Sequence, residues 1–434
     1  MTATADASAA YAAEALAGFV DANPGHVRAV RGGVVRADLG PDRVRLVIGG
    51  GSGHSPAFAG WVGPGLADAA VCGDVFAAPS AARIGAVSRA VAPGRGVILG
   101  FGNYTGDVLQ FGRAAEDLRA EGIDTRLLAV TDDIASAPAQ DAGRRRGIAG
   151  DLVVFKITAA AAERGLPIDE VVSVAHRANG ATRTIGCAFS GCTLPGADEP
   201  LFTVEAGTMA LGLGIHGEPG LETVTRPDSE DLAALLVERV LAESHDLPDD
   251  RVAIVLNGFG AVNNDALFVL HHHVASHLRR RGLRSIAPHV GQQVSSLDMA
   301  GVSLTVTGLD DELEPLWTAP AQTAAFHRAA FRPRPAATPA VRADAPPDAP
   351  PASTAQSRAA ARIVVEALGN AAAAVRRHED RLGALDAVAG DGDHGRGMAR
   401  GTAAAHEAAR AAGADGAGAG TDRKSGGGGQ SGVG

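Results

Sequence analysis

From about residue 40 onward, short apolar runs alternate with longer stretches in which apolar residues recur at helical spacing. Short apolar runs between turn signals read as buried strands, and the 3.6-residue period reads as amphipathic helix. The strands predicted in this way are 43–48, 96–100, 124–130, 185–189, 252–256 and 302–307. The predicted helices are 106–121, 168–179, 229–243 and 264–281. The N-terminal stretch MTATADASAAYAAEALAGFV lacks a basic leader and reads as an amphipathic helix. The alternation is that of an α/β protein, and it falls into two lobes, about 1–183 and 184–331, with mixed sheets flanked by helices.

The rhythm breaks after that point. Residues 332–356 are rich in Pro and Ala with no hydrophobic period, which marks a semi-extended linker. A helical pattern resumes over 357–412, a segment short for an independent core. The tail 413–434 is low-complexity and Gly-rich.

Composition narrows the functional classes. The 434 residues are 46% hydrophobic and 20% charged, so the chain can bury a large core. With 4% aromatics it lacks the stacking platform of a single-strand nucleic-acid binder. A formal charge of −10 disfavours coating DNA or anionic membranes. No apolar run reaches membrane-spanning length, and Cys72, Cys187 and Cys192 are too few and scattered for a disulfide framework. The expectation is a cytoplasmic protein acting on a small molecule.

Four glycine-rich segments carry candidate chemistry. IGGGSGHSPAFAG (48–60) follows a predicted strand, where glycines let a backbone approach a ligand closely. It is neither a dinucleotide fingerprint nor a Walker loop, so a plain tight turn is the competing reading. His54 at its end, where open α/β sheets bind ligands, favours a site. GFGNYTGDVLQFG (100–112) repeats the design with Asp107, whose alternative role is a helix cap. MALGLGIHGEPG (209–220) holds His216 in a Gly/Pro setting. LDAVAGDGDHG (385–395) puts Asp386, Asp391 and Asp393 within eight residues, an arrangement suited to a hard cation or to a solvated acidic loop. It is not an EF-hand, because Thr402 stands where the twelfth-position Glu belongs. His271–His273 fall on different faces of one helix and cannot chelate a metal well.

Together these segments resemble the dihydroxyacetone kinase family. GGGSGH, AAVCGDVFAAPS (69–80), NYTGDV, RRGIAGDLVVFKI (145–157) and GLGIHGEPG follow the family's order across the K-type substrate-binding region, residues 1–331. Leu385–Gly401 is similar to the LDxxxGDGDHGxxMxxG motif that begins the family's all-α, ATP-binding L-type domain. The resemblance implies a ketose kinase in which His216 holds the substrate carbonyl as a covalent hemiaminal. It implies that Asp107 accepts the hydroxyl proton and that His54 hydrogen-bonds the substrate in a pocket lined by Gly51, Ser52 and Gly53. Asp386, Asp391 and Asp393 would hold Mg²⁺ on ATP, with His394 beside the nucleotide. A homodimer is the family expectation.

Three departures bear on the substrate and the donor. Ser55 and Phe58 stand where the family commonly reads GHEPAHAG, and Gly102 stands where a lysine commonly precedes NYTGD. Losing that cation removes a donor and opens volume, a pattern closer to branches acting on four-carbon ketoses such as erythrulose than to those acting on dihydroxyacetone. The L-type segment is only begun before the Gly-rich tail. The alternative expectation is therefore a ketose-binding subunit, inactive alone and served by an intact L-type partner in trans.

Overall fold

The apolar runs form two sheets, one after the other along the chain. The computed structural model describes residues 5–92, 94–244, 247–329, 354–387 and 394–414. It divides into two units, Met1–Arg332 and Pro333–Gly434.

The first sheet contains β1 (Val27–Val30), β2 (Gly33–Arg36), β3 (Arg45–Ser52), β4 (Ala69–Val75), β5 (Val97–Gly102) and β6 (Thr125–Val130). Their spatial order is β1-β2-β4-β3-β5-β6. The four strands β4-β3-β5-β6 run parallel, while β1 and β2 form an antiparallel edge. Strands covered on both faces read as continuous apolar runs, and β5 (VILGFG) is buried throughout. Helices α1 (Ala5–Ala22), α2 (Ala81–Val91) and α3 (Thr105–Ala120) accompany this sheet. The chain passes from β3 to β4 on one side, then returns through α2 to β5 on the other. That reversal opens a crevice at the carboxyl ends of β3 and β5.

The second sheet is mixed. It contains β7 (Thr182–Ala188), β8 (Thr208–Leu211), β9 (Glu222–Thr225), β10 (Arg251–Gly258), β11 (Arg284–Ser285), β12 (His289–Gly291) and β13 (Gly301–Gly308). The order is β11-β10-β13-β7-β8-β9, with β12 also paired to β10. Threonines on facing strands pair their hydroxyls, Thr182 with Thr307 at 2.9 Å and Thr184 with Thr305 at 2.7 Å. Helices α6 (Ser229–Ala242) and α7 (Asn264–Arg280) cover one face, capped by the side chains of Asp228 and Asn263. Asp133 forms a parallel bridge to Thr184, which joins the end of β6 to the start of β7.

Between the sheets lies α4 (Gly150–Glu163), followed by α5 (Ile168–Gly180) and, later, the short α8 (Leu313–Trp317). Thirteen of the fourteen residues of α4 are buried, and it packs against strands of both sheets. A helix buried all round, with Asp151, Lys156 and Thr158 inside as well, has no amphipathic period, which explains why the pattern of positions alone did not mark it. The elements that were marked appear with ends shifted by up to four residues. The largest shift is informative: β3 runs on to Ser52, so most of the glycine run is strand paired to β4 rather than turn.

The far end of α4 is anchored by charge. Asp68 is fully buried and accepts from Arg43 (2.7 and 2.9 Å), Arg36 (3.3 Å), Arg45 (3.4 Å) and the Leu46 backbone N–H (2.9 Å). Glu163, the last residue of α4, accepts from both Arg36 and Arg43 at 2.9 Å.

The second unit contains α9 (Ala355–Arg377), α10 (Glu379–Asp386) and α11 (His394–Ala414). Thr354 caps α9 through Ser357 N–H at 3.1 Å, and Ala372 is the buried apolar residue among those described there. Among the described residues no helix is long and apolar enough to cross a membrane.

Asp68→Ala leaves three buried guanidinium groups without their shared anion. It should lower unfolding free energy by about 3–5 kcal/mol in urea titration. A loss below about 1 kcal/mol would mean that Glu163 alone satisfies the cluster.

Candidate active site

The glycine run of β3 ends in a reversal that only glycine accommodates easily. Gly53 has φ +98°, and His54 follows it into the protein interior, 3% exposed. The loop of residues 292–299 from the second sheet fastens this turn. Ser295 N–H donates to the His54 carbonyl (3.2 Å) and Leu297 N–H to the Gly53 carbonyl (3.1 Å). The neighbouring Ser296 hydroxyl donates to the Ile215 carbonyl at 2.5 Å, beside His216. One loop thus positions both histidines, which are 162 residues apart in sequence.

His54 Nε2 lies 2.9 Å from His216 Nε2. His54 Nδ1 lies 2.8 Å from the Ser295 carbonyl, and His216 Nδ1 lies 3.1 Å from the Glu218 carboxylate. A carbonyl and a carboxylate only accept, so each Nδ1 carries a hydrogen. The contact between the Nε2 atoms then needs one further proton. Burial, and next the proximity of His216, depress His54 to about 3 and keep it neutral.

Burial alone would raise the Glu218 carboxyl. The His216 hydrogen bond and charge, with help from Arg146 at 3.6 Å, outweigh it and hold Glu218 at about 2. Arg146 is itself fixed by Asp133, at 2.9 and 3.1 Å. Phe76 stacks on His54 and meets the His216 ring edge-on, each at 5.0 Å between centroids, and Tyr104 packs at 4.9 Å from the same ring.

These rings close one side of a cavity of about 160 Å³, which Gly51, His54, Asp107, Asp151 and His216 also line. Asp107 sits in the first turn of α3, whose cap is Tyr104, and makes no capping bond. Its Oδ1 has no hydrogen-bond partner. Burial pushes its pKa up to about 7, opposed only by its own backbone N–H. Tyr104 Oη and Asp151 Oδ1 are likewise buried and unpartnered. Burial and then the Glu218 charge raise Tyr104 well above the ordinary phenol range, so it stays a donor. Three unmatched polar groups around one small cavity are chemically complementary to a small polyhydroxylated molecule.

Ser52 and Gly53 do not line this cavity. The Ser52 hydroxyl donates to the Gly73 carbonyl at 2.6 Å, and both residues border a separate cavity of about 480 Å³ beside α1. Glu218, Arg146, Tyr104, Phe76 and Asp151 were not singled out from the sequence as site residues. All five lie within, or directly beside, motifs that were.

Of the acidic segment, Asp391 and Asp393 lie outside the described residues. Asp386 ends α10 and accepts from the His394 backbone N–H, the start of α11, at 3.3 Å. Among the described residues no cluster of three metal-ligating side chains occurs, His271–His273 included.

Residues 17–325 match the Dak1 domain model. The chain belongs to the dihydroxyacetone kinase family. It is 50% identical over 419 residues to D-erythrulose kinase of Mycolicibacterium smegmatis, covering 95% of this chain and 72% of that protein. L-erythrulose kinase of Pectobacterium atrosepticum is 49% identical over 405 residues, covering 92% and 68%. Among solved structures, dihydroxyacetone kinase from C. freundii in complex with AMP-PNP and Mg²⁺ is similar at a TM-score of 0.67 and 32% identity, covering 92% of this chain and 73% of that one.

The His54 ring should show no titration between pH 5 and 8 in imidazole ¹⁵N NMR, with Nδ1 protonated and Nε2 bare. A midpoint inside that window would contradict the burial and pairing described.

Proposed function

We propose that this chain is a short-chain ketose kinase, with erythrulose ahead of dihydroxyacetone as substrate and ATP as donor. The observation that carries the reading is the neutral His54 in contact with His216 at one small cavity that Asp107 also lines. A ketose carbonyl entering between the rings takes the place of their mutual hydrogen bond. His54 Nε2 takes the proton of that hydrogen bond, the freed His216 Nε2 lone pair attacks the carbonyl carbon, and His54 passes the proton to the carbonyl oxygen. The product is a hemiaminal with a hydroxyl on the former carbonyl carbon. Its imidazole ring keeps the Nδ1 hydrogen and one positive charge, which Glu218 neutralises. Atoms and charge balance without any external base.

Covalent capture fixes the terminal hydroxyl, a proximity effect that favours transfer. Asp107 accepts that hydroxyl's proton as the oxygen attacks phosphorus. Mg-ATP, when bound, supplies the phosphoryl group with its charge neutralised by the cation. Three carboxylates of the donor type preferred by Mg²⁺, namely Asp386, Asp391 and Asp393, would hold it, with His394 beside the nucleotide. In this reading residues 1–331 bind the ketose and 357–412 begin the nucleotide-binding part.

Two measurements test it. Purified chain incubated with erythrulose or dihydroxyacetone should show ketose binding that His216→Ala abolishes, and Mg-ATP should convert bound ketose to its phosphate. Neither binding nor product with any short ketose would overturn the reading. Asp107→Asn should retain binding but lower kcat by about 10²–10⁴-fold. Because Asp107 must be ionised to accept the proton, and its pKa is pushed up to about 7, kcat should rise with pH through about 7. A profile flat from pH 5 to 8 would assign the proton to another group.

A further inference from the structure

Asp151 has no part in the chemistry just described, yet it faces the same cavity. It lies in the first turn of α4, 3% exposed, and its Oδ1 has no partner. The helix N-terminus is already occupied by another residue. Asp132 accepts the Ile148 and Gly150 N–H groups at 2.9 and 2.8 Å, so Asp151 is not needed as a cap. No arginine or lysine pairs with it among the described residues. An unpaired carboxyl this deep costs stability unless a ligand meets it.

Two glycines let the backbone pack closely beside Asp151. A methyl group placed on Gly147 would come within 2.8 Å of Asp151 Oδ1 and 2.6 Å of the Gly102 Cα. Asp151, Gly147 and Gly102 therefore share one wall of the cavity. Any side chain on residue 147 would collide with the Asp151 carboxyl and the Gly102 backbone, and one on residue 102 would press on the Tyr104 ring. The wall therefore presents an unsatisfied hydrogen-bonding group beside backbone that only glycine allows so close.

We infer that Asp151 is a specificity-determining residue that hydrogen-bonds the additional hydroxylated carbon of a four-carbon ketose, at the cavity wall it forms with Gly102 and Gly147. The inference rests on the ketose-kinase reading above and deepens it. Burial first, and then the neighbouring Asp132 and Asp107, raise Asp151 well above the ordinary carboxylate range. Pushed toward its neutral form at an unpartnered position on the cavity wall, the carboxyl can both donate and accept, the pattern that a secondary alcohol complements. Dihydroxyacetone has no atoms to reach it. A buried polar group unmatched by the smaller substrate discriminates more strongly than added volume alone does.

The test compares binding of erythrulose, as its tighter enantiomer, with binding of dihydroxyacetone to the full chain by titration calorimetry without nucleotide. D151A should weaken erythrulose about ten- to a hundredfold and leave dihydroxyacetone within about threefold. D151L fills the volume that alanine leaves open, and it should repeat the loss even if D151A does not fold. D151N retains one donor and one acceptor, and it should keep the wild-type ratio of the two affinities to within about threefold. Equal weakening of both ketoses in D151A or D151L, or an unchanged ratio, would overturn the inference alone. A wild-type chain that binds neither ketose would overturn the ketose-kinase reading and this inference with it.

Discussion

Everything at the site depends on one buried helix. α4 has almost no exposed residue because the first sheet packs on one side of it and the second on another. A helix in that position cannot move without disturbing both cores, since close-packed interiors transmit small displacements. Its first turn brings Asp151 to the cavity, and Asp132, just beyond β6, holds that turn by two backbone bonds. Its last residue, Glu163, is held in the arginine cluster around Asp68. With both ends tied, α4 sets the distance between the glycine loops of the first sheet and the histidine loop of the second.

On that frame, burial acts oppositely on groups only a few ångströms apart. Glu218 is kept ionised because His216 and Arg146 face it, whereas Asp107 and Asp151, without a cation, are pushed upward. Sites that separate the pKa values of neighbouring groups assign the acid and base roles. Here one carboxyl stays ionised beside His216 and Arg146 and one is pushed up to about 7. A third is pushed furthest toward its protonated form. His54 is driven the other way, to a neutral form that can relay a proton without retaining it.

Much of this was legible in the chain. The strand and helix rhythm marked β3, β5, β6, β7, β10 and β13 and the helices α1, α3, α5, α6 and α7, because half-buried helices and flanked strands leave periodic signatures. The glycine motifs carried the family resemblance and pointed to His54, Asp107 and His216, all of which line one cavity. α4 escaped, since a helix buried on every side has no polar face to reveal its period. Asp107, which the chain alone leaves between helix cap and proton acceptor, lies in the first turn of α3 with an unpartnered oxygen. Ser52, grouped with the pocket by adjacency, turns away because side chains alternate along β3.

The sequence by itself determined the α/β class, the family and the residue types available for chemistry, because these depend on local pattern and on short motifs. Only the tertiary structure decided which of those residues meet. His54 and His216 touch because the loop of residues 292–299, distant from both in the chain, bonds to the backbone beside each. Asp151 became visible as part of the site for the same reason. Its distinguishing property is the absence of a partner in a buried place, and burial is created by contacts between segments rather than by any segment alone.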